Sequence, residues 1–388
     1  IIAENFVGTG VTGNEIEGNL DPDSSHNLIG TASAGAADAG GVSGLPQFGN
    51  RFAHSAGALR LGPLTDNGGP TQTHAVLGNS PALDGGDSSL ISFLYDQRGE
   101  PFGRFEDGGT GTTTVDIGAY EATAQNLTFV VDTTDDVDNG DYSAGDLSLR
   151  EAIGLSNDNV GADDITFDLP TGSVITLASS LSQILDDVDI VADVSDDLLV
   201  GDNFNAIVFA TPGVGLGSEV LIEGLTLRNA RQGLENRGGS ATLRYVTIDG
   251  MQSLFDGGGI RNLGPLRIEN STISNNTARS GAGIYNFGEL TVINSTISGN
   301  RAEQDGGGIA NISNNFRDVR LINTTIVNNR ADADGNGDGS GGGIWTDGPN
   351  IIAENTIIAE NFVGTGVTGN EIEGDLDPGS VPKLINTG

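Results

Sequence analysis

The sequence predicts an all-β protein built as a parallel β-helix, and three observations point there. A Gly-rich apolar motif recurs through the second half of the chain, and an Asn-led, β-branched motif sits between its copies. The period of about 24 residues is too short for a four-stranded propeller blade, and its composition is wrong for paired helices.

The first motif ends at Ile260 (GGGI), Ile284 (GAGI), Ile309 (GGGI) and Ile344 (GGGI), in steps of 24, 25 and 35 residues. Between them lie NSTIS from Asn270, NSTIS from Asn294, NTTIV from Asn323 and NTIIA from Asn355, each followed six residues after its Asn by another: Asn276, Asn300, Asn329 and Asn361. Each unit reads as three short strands. In the second unit these are 283–287, 289–293 and 295–298, and the inward parity flips at Asn294. Asn tolerates the left-handed region and turns the chain there. Stacked at ~4.8 Å, such rungs place Ile260, Ile284, Ile309 and Ile344 in one core column. Asn276, Asn300, Asn329 and Asn361 then read as an amide ladder along the axis, with simple turn filling as the alternative.

Composition excludes other classes. The 388 residues carry 53 Asp+Glu against 17 Lys+Arg, a formal charge of −36, which repels phosphate backbones and anionic membranes and speaks against nucleic-acid binding. No Cys means no disulfide frame, thiolate metal site or Cys nucleophile, and no apolar run is long enough to span a membrane.

A longer repeat encloses the rungs. Ile1 to Gly18 recurs unchanged as Ile357 to Gly374, an offset of 356 residues, and residues 1–32 match 357–388 more loosely to the end. Convergent packing does not preserve 18 residues, so the unit is duplicated, and the chain is expected to be cut from a longer tandem array. Copies of itself, joined end to end near residues 121–129, are the expected partner.

The GGGI and NSTISGN rungs resemble the β-helix repeats of bacterial polymorphic outer-membrane and adhesin-like proteins. DLSLREAI (146–153) is similar to the CSLREAI motif that opens many such domains, with Leu147 in place of its Cys. LGPLTDNGGPTQTHAVLGNSPALDGGD (61–87), DQRG (96–99) and DIGAYE (116–121) resemble the closing segment of choice-of-anchor Q proteins. The resemblance implies a right-handed helix on a secreted surface protein, with no catalytic residues to carry over. It also sets the boundaries: 1–124 closes one unit, and 125–388 opens the next with an extended NLTFVVDTT strand, a short helix at 148–155 and rungs from about Ile165.

Candidate sites follow from the acidic loops. Asp332, Asp334, Asn336 and Asp338 are spaced like the first half of a calcium loop, but its closing Glu is missing, and the loop reads equally as a solvated insertion. Asp135, Asp136, Asp138 and Asp141, around Asn139-Gly140, form a weaker calcium candidate. His26, His54 and His74 sit in no motif with an orienting partner, and Arg150 beside Glu151 reads as a helix-surface ion pair. Lys383 is the only lysine, and its counterpart is Asn27, which argues against repeated isopeptide cross-links. The sequons at Asn126, Asn270, Asn275, Asn294, Asn311 and Asn323 fit turn chemistry better than glycan attachment. Together these features lead us to expect a non-enzymatic extracellular fibre or surface stalk, adhesive toward surface glycans or proteins. A glycan-binding or polysaccharide-degrading β-helix is the alternative.

Overall fold

The computed structural model describes residues 28–30, 51–53, 60–78, 80–108, 113–194, 199–201, 206–209, 219–312, 319–348, 351–366, 368–374 and 381–385. The first copy of the duplicated segment, Ile1 to Gly18, lies outside them, as do His26 and His54. The described chain forms two bodies, one of residues up to 127 with 155–163, the other of 128–154 and most of the remainder.

The larger body is a right-handed parallel β-solenoid of about seven turns. One sheet of seven parallel strands carries the GGGI motifs: Ile260–Asn262, Ile284–Asn286, Ile309–Asn311 and Ile344–Thr346 pair in register, Ile opposite Ile. All four isoleucines are fully buried. The next two strands of each rung, such as Leu290–Ile293 and Thr296–Ser298, belong to one continuous 17-stranded sheet that folds at the Asn corners. Asn270, Asn294, Asn323 and Asn355 take positive φ of 50°, 49°, 51° and 51° at that corner. Each inserts one extra outward position, which is why Ile268 and Ile273 both point inward although five residues separate them.

Each rung also has a fourth strand of two residues, Thr277–Ala278, Arg301–Ala302 and Arg330–Ala331, where the sequence predicts only three. Its inward alanines sit where the chain turns toward the next GGGI. A second left-handed corner precedes it at Asn275, Gly299, Asn328 and Glu360. The helix falls at Leu149–Asp158, close to its predicted place, and the rungs rise from the strand Asp163–Phe167.

The smaller body holds an antiparallel hairpin, Leu61–Thr65 with Thr73–Val76, over a core of Val76, Ala82, Leu83, Ile117, Ala122 and Val160. Leu28–Gly30 pairs in parallel with Arg51–Ala53.

The Asn300 amide accepts from the preceding rung and donates to both neighbouring rungs, so Asn300→Ala orphans several buried polar groups at once. Urea denaturation should show a loss of roughly 2–4 kcal/mol. A loss no larger than that of an outward-facing, half-buried control such as Thr291→Ala would mean the ladder contributes nothing to stability.

Candidate functional site

The best-defined constellation is a set of polar columns inside the solenoid. Asn276 Nδ2 donates to Asn300 Oδ1 at 2.9 Å, Asn300 to Asn329 at 2.9 Å, and Asn329 to Asn361 at 3.0 Å. The same oxygens accept the backbone N–H of the preceding Asn at 3.0, 3.1 and 3.0 Å. Each Nδ2 gives its second hydrogen to a core carbonyl one rung back: Ile248, Ile273, Ile297 and Ile326. Every bonding position of the internal amides is thus filled. The column ends at Glu371, whose Oε2 accepts from Asn361 Nδ2 at 2.6 Å and from its backbone N–H at 3.2 Å.

The third glycine of each GGGI motif makes room for this column. A Cβ on Gly283 would meet the Gly308 carbonyl at 2.5 Å and Asn300 Nδ2 at 3.1 Å, and Gly259 and Gly308 face the same obstruction.

Two further columns escaped the sequence reading. Asn236, Asn262, Asn286 and Asn311 form a second amide ladder with steps of 2.9, 2.7 and 2.8 Å, ending on Thr346 Oγ1. Its signal was present in the Asn two residues after Ile260, Ile284 and Ile309. Ser271, Ser295, Thr324 and Thr356 line up as buried hydroxyls, Ser271 N–H donating to Ser295 Oγ and Thr324 N–H to Thr356 Oγ1. The sequon residues Asn270-Ser271, Asn294-Ser295 and Asn323-Thr324 are therefore spent on a corner and a column.

The acidic loops serve other contacts. Asp332 is buried and accepts from Gly337 N–H at 3.0 Å, while Asp334, Asn336 and Asp338 are exposed and joined by local turns, Asp334 to Asn336 and Asn336 to Asp338. Asp136 is clamped by Arg150 at 2.9 and 2.7 Å and accepts the Ala178 N–H. Asp135 and Asp138 are exposed, and Asp141 caps the Ser143 N–H, with Ser143 holding its carboxyl below the usual range. Among the described residues, no three acidic or histidine side chains are grouped where they could hold a metal. Arg150 and Glu151 do not pair with each other. Arg150 also holds the carbonyls of Ser179 and Ser180, while Glu151 and Ser148 form a capping box at the helix start. Burial raises the Glu151 carboxyl, but N–H donors from Asn139, Ser148 and Gly140 outweigh it and hold the group below its ordinary value. His74 Nδ1 lies 2.8 Å from the Gly62 carbonyl.

In the smaller body, DQRG and DIGAYE build a buried acid network. Arg98 pairs with Asp96 at 2.7 Å and lies between the rings of Phe102 and Tyr120, at 4.0 and 3.8 Å. Glu121 Oε2 accepts the Asp116 N–H and contacts Arg104, while its Oε1 finds no partner among the described residues. Burial pushes Glu121 up to about 8, and burial also pushes Asp116 up to about 6 against N–H donors from Ala122 and Asp84.

Stacked parallel strands with internal amide ladders define the protein as a β-solenoid. No protein-family model, curated protein or solved structure matches the chain, so the likeness to choice-of-anchor Q proteins rests on its short motifs alone.

Folding favours the protonated forms of Glu121 and Asp116, because their folded-state pKa values lie above the ordinary 4.5 and 3.8. Their contribution is complete below those ordinary values and is lost as pH rises through about 6 and then about 8. The smaller body should melt lower at alkaline than at acid pH, by an amount on the order of a few kcal/mol, and Glu121→Gln should remove most of that slope. A melting temperature independent of pH between acid and alkaline buffer would contradict this.

Proposed function

We propose that the chain is a structural, non-enzymatic module of an extracellular surface protein, in which tandem copies prolong the solenoid into a fibre or stalk. One observation carries this reading. The segment duplicated without change, Ile357 to Gly374, covers the closing part of the last described rung, including the ladder residue Asn361 and its terminator Glu371. Its copy repeats both, as Asn5 and Glu15. What is duplicated is therefore a unit of stacking, and stacking gains length from repetition, whereas an active site gains little.

The ladders support the same role. They make each rung the hydrogen-bonding template of the next, and nearest-neighbour contact is how solenoids build long, stiff bodies. Adhesion is the natural use of such a body at a cell surface, through side chains on its outward faces. A strongly acidic exterior keeps neighbouring rods apart while permitting end-to-end joining.

Electron microscopy of native material, or of a chain spanning two complete 356-residue repeats, tests this. We expect a thin rod with an axial repeat of roughly 50–65 Å, from rungs at ~4.8 Å. Compact particles whose length does not grow with repeat number would refute it.

A further inference from the structure

We propose that the outward face of the sheet carrying Ile260, Ile284, Ile309 and Ile344 binds an uncharged, extended, β-linked polysaccharide chain, with Tyr285 and Trp345 as its stacking platforms. On each strand the Ile and the Asn or Thr two residues later point inward and are buried, so the residue between them faces out. Strand register puts these outward residues in one row parallel to the axis: Arg261, Tyr285, Ala310 and Trp345. Tyr285 and Trp345 are two rungs apart, or about 9.6 Å at the strand spacing.

Ala310 between them is fully buried, so the two partly exposed rings are what solvent meets along this stretch. Phe287 extends the platform at one corner, with its ring centroid 5.6 Å from that of Tyr285. Aromatics make up only 5% of the chain, and Trp345 is its single tryptophan. The placement of Tyr285 and Trp345 on one outward row is not explained by core packing, which uses the opposite side of the same strands.

The border of the platform is polar. Arg261 pairs with Glu235, and Arg279 with Asp256. Burial raises the Tyr285 hydroxyl, with Asp256 and Asp347 adding to the rise and Arg279 and Arg261 opposing it, so charged groups of both signs surround the ring. Apolar faces beside paired hydrogen-bonding groups suit a sugar, whose rings have an apolar face and a rim of hydroxyls. The charge of −36 disfavours polyanionic glycans and lateral contact with another copy. A β-linked chain is specified because it runs straight and turns the same face outward at every second ring, matching two platforms on one line. The inference goes beyond the structural role, which stands or falls by rod formation.

Because Trp345 is unique, its fluorescence reports on this site alone. Titration with cellohexaose or chitohexaose should shift its emission saturably and protect it from acrylamide quenching, while maltohexaose, which curls, should do neither. Trp345→Ala and Tyr285→Ala should each weaken binding measured by calorimetry roughly tenfold or more, with unchanged circular dichroism. Arg320→Ala, on the outward face of the other sheet, should leave it unaltered. No emission change and no heat with any β-linked hexaose would overturn the proposal, as would an equal response to maltohexaose or undiminished binding by a folded Tyr285→Ala variant. Should the alanine variants misfold, the quenching result on the unaltered protein decides alone.

Discussion

A polar group buried in a stacked parallel fold has one partner always within reach: its own counterpart a rung away. That constraint organises the larger body. Asn is the side chain that meets it best, because its amide oxygen accepts from one neighbouring rung while its two N–H groups donate to both, and an unpaired amide in the core would cost roughly 1–3 kcal/mol. The glycines preceding Ile284 and Ile309 follow from the same demand, since a Cβ there would strike the neighbouring carbonyl and crowd the amide. The GGGI motif and the Asn column are thus two sides of one contact, and neither is free to vary alone.

Corners obey a second form of the constraint. Asn294 and its equivalents accept positive φ, and the following Ser or Thr points inward to join the hydroxyl column. The triplet Asn-Ser/Thr-Thr therefore encodes bend, buried donor and strand start in order. This is why the sequons coincide with rung positions.

These features were legible because they repeat: the Ile column, the first ladder and the Asn294 bend each follow from spacing. The second ladder repeats just as regularly, but Asn262 and Asn286 follow Arg and Tyr, and a polar triplet gives no inward signal without a known strand phase. The fourth strand, Thr277–Ala278, is too short to alternate. Non-repeating contacts were not legible at all. Asp136 looks like a cation ligand by spacing, yet its partners are Arg150 and the Ala178 N–H, 14 and 42 residues on. Asp332 to Asp338 shows a related ambiguity, since alternating acidic residues with glycines suit both a metal loop and a series of local turns. The buried acids Asp116 and Glu121 reveal their state only through burial, which composition does not carry.

The end of the first ladder shows how a repeating fold sets its own limits. Each Nδ2 in the column donates one hydrogen toward the C-terminal side and the other to a carbonyl one rung back, so the last rung needs an acceptor on its C-terminal side. Glu371 Oε2 supplies that acceptor, 2.6 Å from Asn361 Nδ2. Among the described residues the amide column ends on this side chain. The sheets are under no such rule, since their backbone hydrogen bonds continue from Ile351–Ala359 to Val381–Ile385 beyond the column.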